Sequence, residues 1–353
     1  MKKWISAVLA LTMLLTLGAC ASGTSAPEGT EGRIFTDDCG REVVLPEEIS
    51  RIVPSGPMAQ MMLFALAPEL LVGVASKLPE SARDILPEAY YALPYTGQLY
   101  RAGDLNLEEL AALGPQLIID IGEPKSSVAE DLDDLQAKTG IPTVFLSTTL
   151  DTVPEAFRTL GKLLGREEKG EELARFCEKI YSRTLDIMEQ VGDEKPRTLY
   201  VLGEEGLNVL AKGSYHAELL DMLTDNAADV ENPVSKGTGN AVSIEQLAFW
   251  DPDVILFDGE SIYDTVSELP VWQRMRAVTS GRYLEIPNVP HNWMGSPPSV
   301  QRYLGLIWLP AVLYPQYCGY DVKADILEYY RLFYGCELTD EQYAAITKNA
   351  FWE

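Results

Sequence analysis

The stretch Leu105-Asn106-Leu107-Glu108-Glu109-Leu110-Ala111-Ala112-Leu113-Gly114-Pro115-Gln116-Leu117-Ile118-Ile119 aligns without gaps on Val242-Ser243-Ile244-Glu245-Gln246-Leu247-Ala248-Phe249-Trp250-Asp251-Pro252-Asp253-Val254-Ile255-Leu256, and the register continues until Gly122-Glu123 falls on Gly259-Glu260. A unit that recurs in each half of a chain points to two similar halves. In each copy a polar residue, Asn106 or Ser243, stands at a helix N-cap, and glutamates follow in the first turn, where the helix dipole favours negative charge. Pro115 and Pro252 end the helix after one or two turns. The apolar runs 117–121 and 254–257 then read as strands buried on both faces. Gly122-Glu123 and Gly259-Glu260 fall at the C-terminal ends of those strands, where open α/β sheets bind ligands.

Strands and helices alternate around both copies. The first half offers Arg51-Ile52-Val53, the apolar segment 58–66, a strand over 70–74, a helix over 128–138 and a strand over 143–146. The second offers a strand over 198–202, a helix over 217–223 and a strand over 283–286. This alternation predicts an α/β fold of two mostly parallel lobes. Between them, Leu173, Phe176, Cys177, Ile180, Thr184, Ile187, Met188 and Val191 share one face of an uninterrupted pattern. It predicts one helix of about 22 residues and about 33 Å, long enough to act as a stiff spine. The expected organisation is an N-terminal lobe over 33–165, a linking helix over 166–192 and a C-terminal lobe with an extension over 193–353, with the ligand cleft between the lobes.

The chain opens with Lys2 and Lys3, an apolar run over 5–17, and Leu17-Gly18-Ala19-Cys20. Such a run is shorter than the roughly 20 residues a membrane span needs and reads as a cleaved export signal. The tail over 21–32, rich in Ala, Ser, Gly, Thr and Pro, reads as a flexible tether. Loss of Lys2 and Lys3 would take the formal charge from −25 to −27, which argues against nucleic acid as a partner. Cys39, Cys177, Cys318 and Cys336 form no Cys-x-x-Cys pair, so no zinc or redox motif is present. Buried free thiols and a Cys318–Cys336 disulfide both stay open.

Several segments together resemble a family. Asp38-Cys39-Gly40-Arg41-Glu42-Val43-Val44-Leu45-Pro46 with Arg51-Ile52-Val53-Pro54, Leu71-Val72-Gly73-Val74, the unit over 106–119, and Asn292-Trp293-Met294-Gly295-Ser296-Pro297-Pro298-Ser299-Val300-Gln301-Arg302 resemble the substrate-binding proteins of iron-siderophore, haem and cobalamin ABC importers. Leu17-Gly18-Ala19-Cys20 resembles the bacterial lipoprotein box, which implies lipidation of Cys20 and an extracytoplasmic, membrane-anchored protein. The family resemblance implies two lobes on a long helix, a monomer, and capture of a small molecule or metal complex for an ABC permease and its ATPase. It also implies that Glu108 and Glu245 dock on permease arginines, a role that the repeat supports by placing them in equivalent sites. No cofactor of the protein's own is implied.

Four stretches are expected to line the cleft. Ser55, Gly56, Pro57 and Met58 form a turn into a helix whose N–H groups can face an anion. Tyr95, Gln98, Tyr100 and Arg101 gather polar and aromatic donors in a loop. The third stretch holds Asn208, Lys212, Tyr215 and His216, with Asn240 after Lys236-Gly237-Thr238-Gly239; His216 is one of two histidines and is a candidate metal contact through a bound complex. In the fourth, Asn292 and Trp293 are expected to pack on a ligand and Arg302 to pair with an oxyanion. Glu123 joins them from its strand end. Two histidines are too few for a three-histidine zinc site, so a chelated metal, a corrinoid, haem and an oxyanion all remain. The alternatives are a two-lobed enzyme, for which no nucleophile elbow, phosphate loop or dinucleotide fingerprint is present, and a lipid-anchored sensor or adhesin that uses no permease.

Overall fold

The computed structural model describes residues 32–99, 104–234 and 236–352. The first lobe holds a parallel sheet of β3 (Ile52–Pro54), β4 (Leu117–Gly122) and β5 (Thr143–Ser147), with β4 in the middle. An antiparallel hairpin, β1 (Arg33–Thr36) with β2 (Glu42–Leu45), precedes it. The second lobe is built on the parallel set β6 (Arg197–Leu202), β8 (Asp225–Asn226), β10 (Val254–Phe257) and β11 (Tyr283–Glu285). Two short antiparallel strands, β7 (Asn208–Val209) and β9 (Asn240–Ala241), extend it.

The two repeat copies fold alike. Helix α2 (Leu107–Leu113) is capped by Asn106, whose side chain accepts from the Glu109 N–H, and its equivalent α7 (Ile244–Trp250) is capped by Ser243, which accepts from the Gln246 N–H. Both end in the left-handed conformation, at Gly114 (φ 56°) and Asp251 (φ 36°), and turn back into β4 and β10. Both strands are buried along their whole length, as a strand covered on two faces must be.

Helix α1 (Pro57–Leu66) follows β3, α3 (Val128–Thr139) follows β4, and α4 (Val153–Leu164) follows β5. The long helix α5 (Glu167–Val191) has 25 residues. It packs on α4 and α1 of the first lobe and on α8 (Arg302–Leu313) of the second, whose earlier helix is α6 (Glu218–Leu223). One apolar cluster runs through both lobes beneath it and includes Phe157, Phe176, Trp293, Trp308 and Phe333.

One expectation needs correction. Residues 70–74 form no strand: Pro68–Leu70 is a 3-10 turn, and only Leu71 and Val74 make single parallel bridges, to Ile52 and Tyr95. Pro68 starts the turn and uses up the residues a strand would need. Of the two readings left open for the cysteines, Cys318 and Cys336 are both free thiols. The C-terminal extension is a strap over both lobes. Helix α9 (Asp340–Ile346), with a capping box at Thr339 and Gln342, sends the Gln342 side chain to the Asp84 carbonyl of the first lobe at 3.0 Å. Beyond it the Ala350 carbonyl accepts from Trp308 and the Asn349 carbonyl from the Glu285 N–H of the second.

Candidate functional site

At the C-terminal ends of β3 and β4 the chain leaves the sheet through Ser55-Gly56 and Gly122-Glu123, and a cavity of about 190 Å³ opens between them. The first lobe contributes Ser55, Gly56, Pro57, Met58, Gln98, Asp120, Glu123 and Lys125 to its wall. The second lobe covers it with Tyr215, His216, Pro297 and Pro298. Gly56 is the N-cap of α1 and has no side-chain cap, and an added Cβ there would meet nothing within 4 Å. Pro57, the first residue of α1, has no N–H, and no side chain caps the Met58 and Ala59 N–H groups that follow, so this helix end favours negatively charged oxygens.

The two lobes are stitched at the floor of this cleft. Tyr215 donates its hydroxyl to the Thr148 carbonyl at 2.6 Å, Tyr303 donates to the Leu150 carbonyl at 2.6 Å, and Ser299 donates to the Met58 carbonyl at 2.9 Å. The Leu150 N–H donates to Glu218 at 2.9 Å, and the other oxygen of Glu218 pairs with the fully buried Arg302. The Arg302 guanidinium lies 5.4 Å from the Tyr215 ring centre, within cation–π range.

The electrostatics are mixed. Asp120 is buried in the middle of β4 and accepts from the Ser55 hydroxyl. Lys125 lies 3.8 Å from Glu123. Burial, then the nearby positive charges of Lys125 and Arg302, push the His216 pKa down to about 4, so its imidazole is neutral near pH 7. Beside the cavity an open depression of about 820 Å³ is walled by Asn208, Lys236, Thr238, Asp258 and Glu260. A still larger hollow of about 1000 Å³ lies along α5, but its charged walls pair with one another, Arg175 with Glu171 and Lys179 with Glu328. Among the described residues no cluster of three or more His, Cys, Asp or Glu side chains could hold a bare metal ion, and no helix is long and apolar enough to cross a membrane.

Residues 75–290 match the family described as periplasmic binding protein. The chain belongs to that family. Its relatives include the Fe(3+)-citrate-binding protein YfmC of Bacillus subtilis, 25% identical over 295 residues that cover 79% of this chain and 87% of the relative. The molybdate-binding protein MolA of Haemophilus influenzae is 24% identical over 346 residues, 90% of this chain and 95% of the relative. Among solved structures, an ABC transporter solute-binding protein of Sulfurospirillum deleyianum superposes with a TM-score of 0.82 at 28% identity, covering 90% of this chain and 99% of that one.

In this periplasmic binding protein the cleft brings together Ser55, Gly56, Pro57, Met58, Gln98, Glu123, Tyr215 and His216. Tyr100 and Arg101 lie outside the described residues, as does Cys20. Five other expected contacts do different work. Trp293 is fully buried and packs edge to face on Trp308, because the loop that carries it turns inward. Asn292 holds that turn: its side-chain oxygen accepts from the Met294 and Gly295 N–H groups, and its amide donates to Asp258. Asn240 pairs with both backbone groups of Val234. Tyr95 donates to Asp104 at 2.7 Å. Arg302 sits behind Tyr215 and Glu218, one layer from the cavity. Asp120, Lys125, Phe145, Pro297 and Pro298 line the cavity without having been singled out as site residues in the sequence. Asp120 had a signal of its own, as the only charged residue in the buried strand 117–122.

Proposed function

We propose that this chain is the extracytoplasmic solute-binding component of an ABC importer, held at the membrane by a lipid on Cys20, and that it captures a small solute bearing anionic oxygens on a metal centre. The observation that carries this reading is the cavity at the strand ends of the first lobe, which Tyr215, His216, Pro297 and Pro298 cover from the second. The groups that would meet anionic oxygens are the uncapped first turn of α1, the Lys125 ammonium and the neutral His216 ring. Ferric citrate and molybdate, the solutes named for two relatives, both fit that description. The cavity itself lies below the roughly 300–1,000 Å³ of sites for drug-sized molecules, which favours a compact anion as its occupant. No covalent chemistry is needed for this role.

Glu108 and Glu245, in the first turns of two equivalent helices, would give the permease a contact on each lobe. Burial of two or more acyl chains on Cys20, at about 0.8 kcal/mol per CH₂, would hold the protein at the membrane. Titration calorimetry of the purified protein with molybdate and with ferric citrate tests the solute assignment. Saturable binding of one of them, weakened at least about tenfold by Lys125→Ala, is the expected result. Binding of haem alone, or of neither anion, would refute it.

A further inference from the structure

Three contacts that hold the second lobe over the cavity meet at one side chain. Arg302 opens α8 and is fully buried. One terminal nitrogen of its guanidinium pairs with Glu218, whose other oxygen accepts from the Leu150 N–H of the first lobe. Its Nε donates to the Ser299 carbonyl at 3.3 Å, and the Ser299 hydroxyl donates to the carbonyl of Met58, a residue of the cavity wall. The Tyr215 ring, centred 5.4 Å from the guanidinium, covers the cavity while its hydroxyl reaches the Thr148 carbonyl. Each route from Arg302 therefore arrives at the first lobe through a different single residue: Glu218, Ser299 or Tyr215. Arg302 itself does not line the cavity.

We propose that Arg302 is a positioning residue: without touching the solute, its planar fork fixes how Tyr215 and His216 seat over the first-lobe wall, and so sets solute affinity. This rests on the solute-capture role proposed above. A buried ion pair is a poor source of net stability, because desolvation offsets the attraction. What the guanidinium supplies is direction, since its donors are held in one rigid plane. Its second terminal nitrogen has no acceptor among the described residues, so the placement serves the contacts with Glu218 and Ser299 and leaves one donor of the fork over. Tyr215 and His216 share the 3-10 turn Tyr215–Ala217 that runs directly into Glu218, so any shift of Glu218 carries both cover residues with it. Lysine offers a single ammonium where two bonds in different directions are needed, and cannot replace the fork.

The test pairs amide hydrogen exchange, read by NMR on the protein without solute, with calorimetric titration of molybdate and of ferric citrate. Arg302→Lys and Arg302→Met are both expected to speed exchange of the Leu150 amide at least about tenfold, through loss of a charged hydrogen bond, with the core amide of Ile255 unchanged. Both should weaken binding of whichever anion the parent takes by at least about tenfold. Glu218→Gln, nearly the same size, has one oxygen to offer to Leu150 or to Arg302 and should show the same pattern more weakly, which covers the case of an Arg302 variant that does not fold. Parental affinity in Arg302→Lys with loss in Arg302→Met would make the charge and not the fork responsible, and would overturn the proposal. So would unchanged Leu150 exchange, faster Leu150 exchange with unchanged affinity, or an equal rise at Leu150 and Ile255. If the parent binds neither anion, the solute assignment falls, and Leu150 exchange still decides whether Arg302 sets the seating of the lobes.

Discussion

The repeated units over 106–122 and 243–259 share caps, helix lengths and strand burial, yet each places the aspartate at its strand end differently, Asp120 buried and Asp258 half-buried. In the first lobe Asp120 aligns with the core residue Phe257, and in the second Asp258 aligns with Ile121. Neighbouring strand positions face opposite sides of a sheet. Asp120 takes the Ser55 hydroxyl at the wall of the cavity, whereas Asp258 takes the Tyr200 hydroxyl and the Asn292 amide, both at 2.9 Å, and so anchors the loop that carries Trp293. Under the proposed function the same scaffold would serve solute capture in one lobe and architecture in the other.

The strongest way to break that contrast is at the end of the second network. Trp293→Ala should cost about 3–5 kcal/mol of stability, as for any large aromatic removed from a core, and should leave solute affinity in the folded fraction unchanged. Denaturant unfolding and titration calorimetry measure the two. A loss of affinity with stability intact would return the ring to the cleft.

The aspartates sharpen the contrast directly. Asp258→Ala leaves a buried hydroxyl and a buried amide without their acceptor and should cost about 2–3 kcal/mol. Asp120→Ala removes the acceptor of the buried Ser55 hydroxyl and should cost about 1–3 kcal/mol, while changing solute affinity by more than Asp258→Ala does. Equal effects on both measurements would mean that the two copies use their aspartates alike.

Where sequence reading succeeded and failed follows the same division. The caps at Asn106 and Ser243, the stops before Pro115 and Pro252, and the buried strands are local signals, set by residues within a few positions of one another. The continuous apolar face over 173–191 likewise produced one helix. Tyr215 and His216 could be picked out because polar aromatic residues followed a strand. Trp293 could not be placed, since Asn, Gly and Pro around it announce a loop but not whether the loop turns inward; the Asn292 side chain decides that through contacts with Asp258, 34 positions away. Lys125, Pro297 and Pro298 meet across the lobes, a relation set by tertiary packing alone.

Acid should affect the two histidines, both in the second lobe. Burial, with Lys125 and Arg302 adding to it at His216, holds both His216 and His291 at a pKa of about 4 in the folded chain, against about 6.5 when unfolded. Above about pH 6.5 neither form is protonated and the histidines are neutral to stability. Between 6.5 and 4 the unfolded chain binds protons that the folded chain does not, so stability falls as the pH drops through that window. Melting temperature measured from pH 7 to 4.5 should therefore drop less in His216→Gln/His291→Gln than in the parent. An anionic solute beside His216 would favour the protonated ring and flatten the parent's drop; an unchanged slope with solute bound would argue against contact.

The smallest effects lie at the helix ends, where the two copies differ by one residue. Gly114 and Asp251 both hold left-handed backbone, which costs a residue with a Cβ about 1 kcal/mol and glycine almost nothing. A Cβ at position 114 would touch nothing within 4 Å, so Gly114→Ala should lose about 1 kcal/mol through backbone conformation alone. Asp251→Gly removes the same strain and gives up two exposed contacts of its carboxylate, the pairing with the Arg276 guanidinium at 3.8 Å and the Arg276 backbone N–H donated to it at 3.3 Å, each worth little in water. It should gain about 0.5 kcal/mol, readable as a small rise in denaturation midpoint. Opposite signs for these two changes at matched positions would show that the copies share a backbone and differ only in how well each sequence fits it; a loss in both would mean that the Asp251–Arg276 contacts contribute more than the strain costs.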